Sequence, residues 1–176
     1  MKNKILLSLL LLLTLLIITG CKNNLISKET KNEKSEFDIK GDKYSCVNND
    51  YINTSDLKTS VKETSVLQNN ILKMIIIESN FNYSDKAKYK ESCDSTKKNG
   101  EDVNNQKLGY VSYEVRCNNS KNEVTIKKYY VVEKALENKN VKEMLSTSIN
   151  YIKDDGSYDL VGWKKEMTKR SYTCEW

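Results

Sequence analysis

The spacing of apolar positions changes several times along this chain. From Ile5 to Ile18 they form a continuous run, broken only by Ser8 and Thr14. They then almost vanish: Lys22 to about Lys40 is dense in Lys, Glu, Asn and Ser and offers little to bury, which reads as a solvated tether. Gly41 marks the edge of the part expected to fold. Beyond it the period is two. Tyr44-Ser45-Cys46-Val47 starts a short strand, followed by a polar loop over residues 48–56. Leu57, Thr59 and Val61 then alternate with Lys58, Ser60 and Lys62, a strand with one wet face. Gln68-Asn69-Asn70 predicts a tight turn, because Asn tolerates the left-handed backbone such turns need. Residues 71–83 follow, and their centre, Lys73-Met74-Ile75-Ile76-Ile77, is apolar on both faces, as a central strand covered on each side in its middle would be.

The period then lengthens. Ser84 is a candidate N-cap, Asp85 suits a positive helix start, and Tyr89 and Cys93 lie four apart on one face. This predicts a helix from 85 to about 97, stopped by Lys97-Lys98-Asn99-Gly100, with a polar loop through Gln106. A hairpin follows: Val111, Tyr113, Val115 and Cys117 share one face, residues 118–122 turn, and Val124, Ile126, Tyr130 and Val132 return. Asn140 with Glu143 resembles a capping box, and Val141, Met144, Leu145, Ile149 and Ile152 make a helical stripe ended by Asp154-Asp155-Gly156. Ser157 would cap a second short helix with Leu160, Trp163 and Met167 inward. Residues 171–176 read as a last strand.

The first apolar run changes the picture of where the chain acts. Lys2 and Lys4 precede it and Ile18-Thr19-Gly20 follow, the layout of an export signal. A run of roughly 14 residues falls short of the ~20 that span a bilayer. Ile18-Thr19-Gly20-Cys21 resembles the lipobox of bacterial lipoprotein precursors. That resemblance implies cleavage before Cys21, a diacylglyceryl thioether on its sulfur, and a chain held at the extracytoplasmic face of the cell membrane. Paired acyl chains anchor stably because each buried methylene contributes about 0.8 kcal/mol. Residues 1–20 are thus a signal peptide, 21–41 a lipidated cysteine with its tether, and 42–176 a single domain.

Without residues 1–20 the chain has 156 residues and a net charge of +3, from 27 basic and 24 acidic side chains. One domain with a real core fits this length, and two lobes closing on a nutrient do not. The mild, interspersed charge gives no reason to expect nucleic acid as a partner. Histidine is absent, so Ser-His and Cys-His nucleophile systems are excluded. Cys46, Cys93, Cys117 and Cys174 remain after Cys21, an even number that suits two disulfides in an exported domain. Four cysteines allow three connectivities, and their spacing alone does not choose among them. None are paired as closely as the ligands of a zinc site usually are. Asp154–Asp159 lacks the spacing and closing Glu of a calcium loop. No metal or cofactor is expected.

Lys43-Tyr44-Ser45-Cys46, Asn82-Tyr83-Ser84, Leu108-Gly109-Tyr110-Val111-Ser112-Tyr113, Tyr129-Tyr130-Val131-Val132 and the helix-then-strand ending Lys164–Trp176 occur in an order that resembles the YehR-like family of small bacterial lipoproteins, a family of unknown function. The resemblance covers residues 41–176. It implies an α+β fold and a membrane-anchored address, and brings no catalytic residue with it. The order of elements predicts the same class: a twisted antiparallel sheet of five or six strands with two or three helices packed against it. In that architecture Cys93–Cys117 would pin the first helix to the hairpin, and Cys46–Cys174 would fasten the last strand near the first.

The expected function is a non-enzymatic binding or interaction module at the cell envelope. Its candidate contacts are Tyr110, Tyr113, Tyr129 and Tyr130 on the hairpin, since aromatics with polar tips favour binding sites. Alternation puts tyrosine on both faces of each strand, so some of the four belong to the core. Lys86, Lys88, Lys90, Lys97 and Lys98 could meet an anionic wall polymer, although such runs are usually solvated faces. An envelope protein is the other candidate partner. A small ligand carrier is the alternative, with an envelope hydrolase using carboxylates such as Glu78, Glu114 or Glu133 behind it.

Overall fold

Alternation of apolar and polar residues builds the sheet, and its parity decides which face the helices cover. The computed structural model describes residues 37–175. Among them β1 (Asp42–Asn53), β2 (Leu57–Gln68), β3 (Ile71–Tyr83), β4 (Val111–Asn118), β5 (Glu123–Val131) and β6 (Thr173–Cys174) form one open sheet, ordered β4-β5-β3-β2-β1-β6. Every neighbouring pair is antiparallel. Five helices accompany it: α1 (Lys86–Asn105), α2 (Val132–Ala135), α3 (Lys139–Met144), α4 (Ser146–Ile149) and α5 (Leu160–Lys169). The fold is α+β with six strands, as the pattern predicts. The helices exceed the expected two or three because the stripe after Lys139 breaks into short turns and the end of the hairpin adds the short α2.

The helices pack on one face of the sheet. Ile75, Tyr130, Val111 and Cys46 contribute to a core with Leu145, Ile149, Trp163 and Met167. The same face continues under α1, where Tyr89 and Cys93 bury against Val124, with Phe81, Val115 and Ile126 around them. On the opposite face Val66, Met74 and Ile76 are buried beneath Ile39 and the Tyr129 ring. β3 is therefore central and covered on both sides at its middle, which its doubly apolar sequence requires.

Gly41 turns the chain at this point, where a Cβ would lie 2.3 Å from the Leu67 carbonyl oxygen. Only glycine allows that approach. Asn69 and Asn70 both take positive φ, 50° and 62°, in the β2–β3 turn.

Several boundaries differ from the sequence pattern. β1 runs on through the polar residues expected to form a loop, with a register irregularity between Asn48 and Ile52 before Ile52 rejoins Thr59. Strand pairing overrides side-chain polarity there because the backbone still needs its hydrogen bonds. Asp85, not Ser84, caps α1: its carboxylate accepts from the Lys88 N–H at 2.8 Å. Ser84 is occupied with the Asp56 carbonyl, to which its N–H donates at 3.1 Å. The helix also passes through Gly100 to Asn105 instead of stopping near 97. A Cβ on Gly100 would come 3.1 Å from Val115 Cγ2, so the glycine brings helix and sheet together and is not a stop signal. Asn138 and Asp159 cap α3 and α5, in place of Asn140 and Ser157. Val132 is buried as expected but begins α2, and the last strand contracts to Thr173–Cys174.

Candidate functional site

The face of the sheet away from the helices has two parts. One is the apolar corner beneath Ile39. The other is bare and polar, and the pairing register arranges its side chains in rows across β4, β5, β3 and β2. Glu114, Lys127, Glu78 and Lys62 form one row of alternating charge. Arg116, Thr125, Asn80 and Ser60 form the next. Asn118, Glu123 and Asn82 lie beyond. The members of these rows on β3, β4 and β5 line a groove of about 340 Å³, bounded by Glu78, Asn80, Glu114, Arg116, Thr125 and Lys127 among others.

The groove's side chains hold one another in place. Thr125 Oγ1 donates to Asn80 Oδ1 at 2.8 Å, and Asn80 Nδ2 donates to Ser60 Oγ at 3.4 Å. Arg116 Nε donates to Glu114 at 3.0 Å, and the Tyr129 hydroxyl donates to the other Glu114 oxygen at 2.8 Å. The Tyr129 hydrogen bond, followed by Arg116, holds the Glu114 carboxyl below the usual carboxylate range. Burial and the same hydrogen bond push the Tyr129 phenol up to about 12. Lys127 lies 3.9 Å from Glu78 and also over the Tyr129 ring, 5.3 Å from its centroid. A general acid needs a raised proton affinity, and Glu114 shows the reverse. Glu133 is remote from this row, exposed on α2.

Three of the four hairpin tyrosines come together: the Tyr130 hydroxyl shares a hydrogen bond with Tyr113 and lies near Tyr110. Tyr130 is buried on the helix-covered face, with Tyr110 and Tyr113 packed half-buried beside the same core. Tyr129 alone reaches the bare side. The lysines of α1 stand exposed, interspersed with Glu91 and Asp94, and Lys88 pairs with Asp56 at 3.2 Å. Among the described residues no group of three or more His, Cys, Asp or Glu is placed to hold a metal ion, and no helix is long and apolar enough to cross a membrane.

Cys46 is bonded to Cys174 and Cys93 to Cys117. The second bond ties α1 to β4. The first joins directly opposed residues of β1 and β6, whose Cα atoms are 4.0 Å apart.

Two polar groups under the helices do not stand out in the sequence. Glu63 of β2 points to the helix side, where Ser148 donates to its carboxylate and Trp163 Nε1 donates to Ser148 Oγ at 3.1 Å. Burial raises the Glu63 carboxyl, and the hydrogen bonds offset this only in part. Lys164 of α5 is 3 % exposed. Its ammonium donates to the Glu175 carbonyl and sits 5.2 Å from the centre of the Tyr44 ring. A signal for Glu63 does exist: it continues the 57, 59, 61 parity of the inward face. Lys164 has no such signal beyond its place next to Trp163.

No protein-family model matches the chain, and no curated protein matches it. Among solved structures, it is similar to an NMR structure of a protein from Streptococcus pneumoniae TIGR4. The two share 11 % identity with a TM-score of 0.45, over 90 % of this chain and 99 % of the other.

Proposed function

We propose that the chain is a lipoprotein of the YehR-like kind, held by lipid on Cys21 at the extracytoplasmic face of the cell membrane, and that its domain is a non-enzymatic binding module of the envelope. The leader, Cys21 and the tether up to residue 36 lie outside the described residues, so the anchor rests on the sequence pattern alone. The observation that carries the binding reading is the groove on the bare half of the sheet. Fixed polar side chains line a concave surface on the side the helices leave open. Such preorganised groups lose little entropy on meeting a partner. Both carboxylates of its charged row face a cation, and Glu114 is held deprotonated, which favours recognition over acid catalysis.

A photo-crosslinking amino acid at position 116, in the groove, tests this in intact cells, with position 91 on α1 for comparison. A defined adduct from 116 and none from 91 is the expected result. No adduct, or the same products from both, would overturn the binding reading. In the same cells Cys21→Ala is expected to leave the leader uncleaved and the chain unacylated. Recovery of normally cleaved, detergent-phase protein from that variant would remove the anchor.

A further inference from the structure

The most unusual local arrangement lies away from the groove, where the C-terminal strand closes over the middle of α5. β6 has two paired residues, Cys46↔Cys174 and Val47↔Thr173. Beyond them, Glu175 N–H donates to the Ser45 carbonyl at 3.2 Å. A strand of two paired residues would open readily if nothing else held it. The disulfide supplies that hold.

Beneath it lies a buried cation. Lys164 touches the strand directly, because its ammonium donates to the Glu175 carbonyl. Its remaining surroundings include the Tyr44 ring of β1. The covering strand thus provides part of what keeps a lysine out of water, and a lysine is rarely buried without such compensation.

The two residues of this bond differ in exposure, as Cys93 and Cys117 also do. Cys46 is 0 % exposed, whereas Cys174 is half-buried at the sheet's edge. The other disulfide is framed by larger elements: Cys93 sits in a 20-residue helix and Cys117 in an 8-residue strand paired along its length with β5. Opening a small terminal unit costs less than opening a helix packed on a sheet.

We infer that Cys46–Cys174 is a reducible latch: a dithiol opens it ahead of Cys93–Cys117, frees the C-terminal strand and uncovers Lys164 while the rest of the fold persists. A thiolate of the dithiol attacks Cys174 Sγ, forming a mixed disulfide, and Cys46 leaves as a thiolate that takes a proton from water. The second thiol then attacks the dithiol's own sulfur in the mixed disulfide. Cys174 is released as a thiol and the dithiol becomes a disulfide. Two electrons pass from the dithiol to the protein.

The test uses the full chain in detergent, treated with increasing dithiothreitol, quenched, and alkylated for mass spectrometry. An amine-acylating reagent reports Lys164 in parallel, and far-UV circular dichroism follows the fold. The expected result is alkylation of Cys46 and Cys174 at least tenfold faster than Cys93 and Cys117. Lys164 acylation rises at the same dithiol concentration, with the far-UV signal retained. The latch is overturned if Cys93–Cys117 opens first or at the same rate. It is equally overturned if neither bond opens before the fold is lost, or if Cys46–Cys174 opens without any change at Lys164.

Discussion

Glu63 is the residue at which polarity and position conflict. Its parity in β2 turns it under the helices, and burial favours its neutral form. A group whose folded pKa is raised contributes stability that is fully present below its unfolded value and is lost as pH rises through the folded one. Its unfolded value is close to 4.5, so stability attributable to Glu63 declines as pH climbs above that point. Glu63→Gln keeps an acceptor for Ser148 and removes the charge. The variant is expected to be the more stable protein at pH 8, with the gap narrowing toward pH 4, as measured by thermal unfolding of both chains across that range. A pH-independent gap would place the effect in packing. The sequence carried half of this. The alternation that puts Val61 inward puts Glu63 inward as well, but nothing in the order of residues reveals that Ser148 and Trp163, 85 and 100 positions later, supply its partners. The tyrosines show the same division. Parity separates Tyr129 from Tyr130, yet only the pairing of β3 with β5 shows that the face bearing Tyr129 is the bare one.

At the scale of elements, α1 shows how tertiary contact overrides a local signal. Lys97-Lys98-Asn99-Gly100 reads as a helix end, but the helix continues because Gly100 allows it to lie close to Val115. The same length brings Asn104 to the outer edge of β4. There its side chain accepts from the Tyr113 N–H and donates to the Tyr113 carbonyl, each at 2.8 Å, as a neighbouring strand would. An unpaired edge is a template for association, and this amide occupies the middle of one. Asn104→Ala should cost about 1–2 kcal/mol in denaturant unfolding, at roughly 1 kcal/mol per hydrogen bond. It should also increase concentration-dependent light scattering. The start of the helix separates two adjacent candidates. Asp85→Ala is expected to lose about 1 kcal/mol, as removal of a capping side chain does. Ser84→Ala, whose hydroxyl is exposed, should stay within about 0.5 kcal/mol. Equal losses would mean the cap is shared.

For the whole molecule, the α+β class and the antiparallel sheet were legible because alternation and turn residues act locally: Asn69-Asn70 fixes one hairpin and residues 118–122 another. The division of the late helical stripe into α3 and α4 was not, because it follows from how Leu145 and Ile149 must reach a sheet built earlier in the chain. The disulfides act on this scale through the unfolded chain. Removing Cys93–Cys117 by paired serine substitution should cost about 3 kcal/mol, the loop-closure entropy for a separation of 24 residues. Guanidinium unfolding under non-reducing conditions measures it, and a loss near zero would mean that α1 and β4 stay associated in the unfolded ensemble. The bond from Cys46 to Cys174 spans 128 positions and turns nearly the entire domain into a covalent ring. A protease that cuts the exposed turn at Thr54–Asp56 opens the ring without dividing it. Both new ends stay attached to the same body, and a nicked molecule keeps its full mass for as long as that one bond remains oxidised.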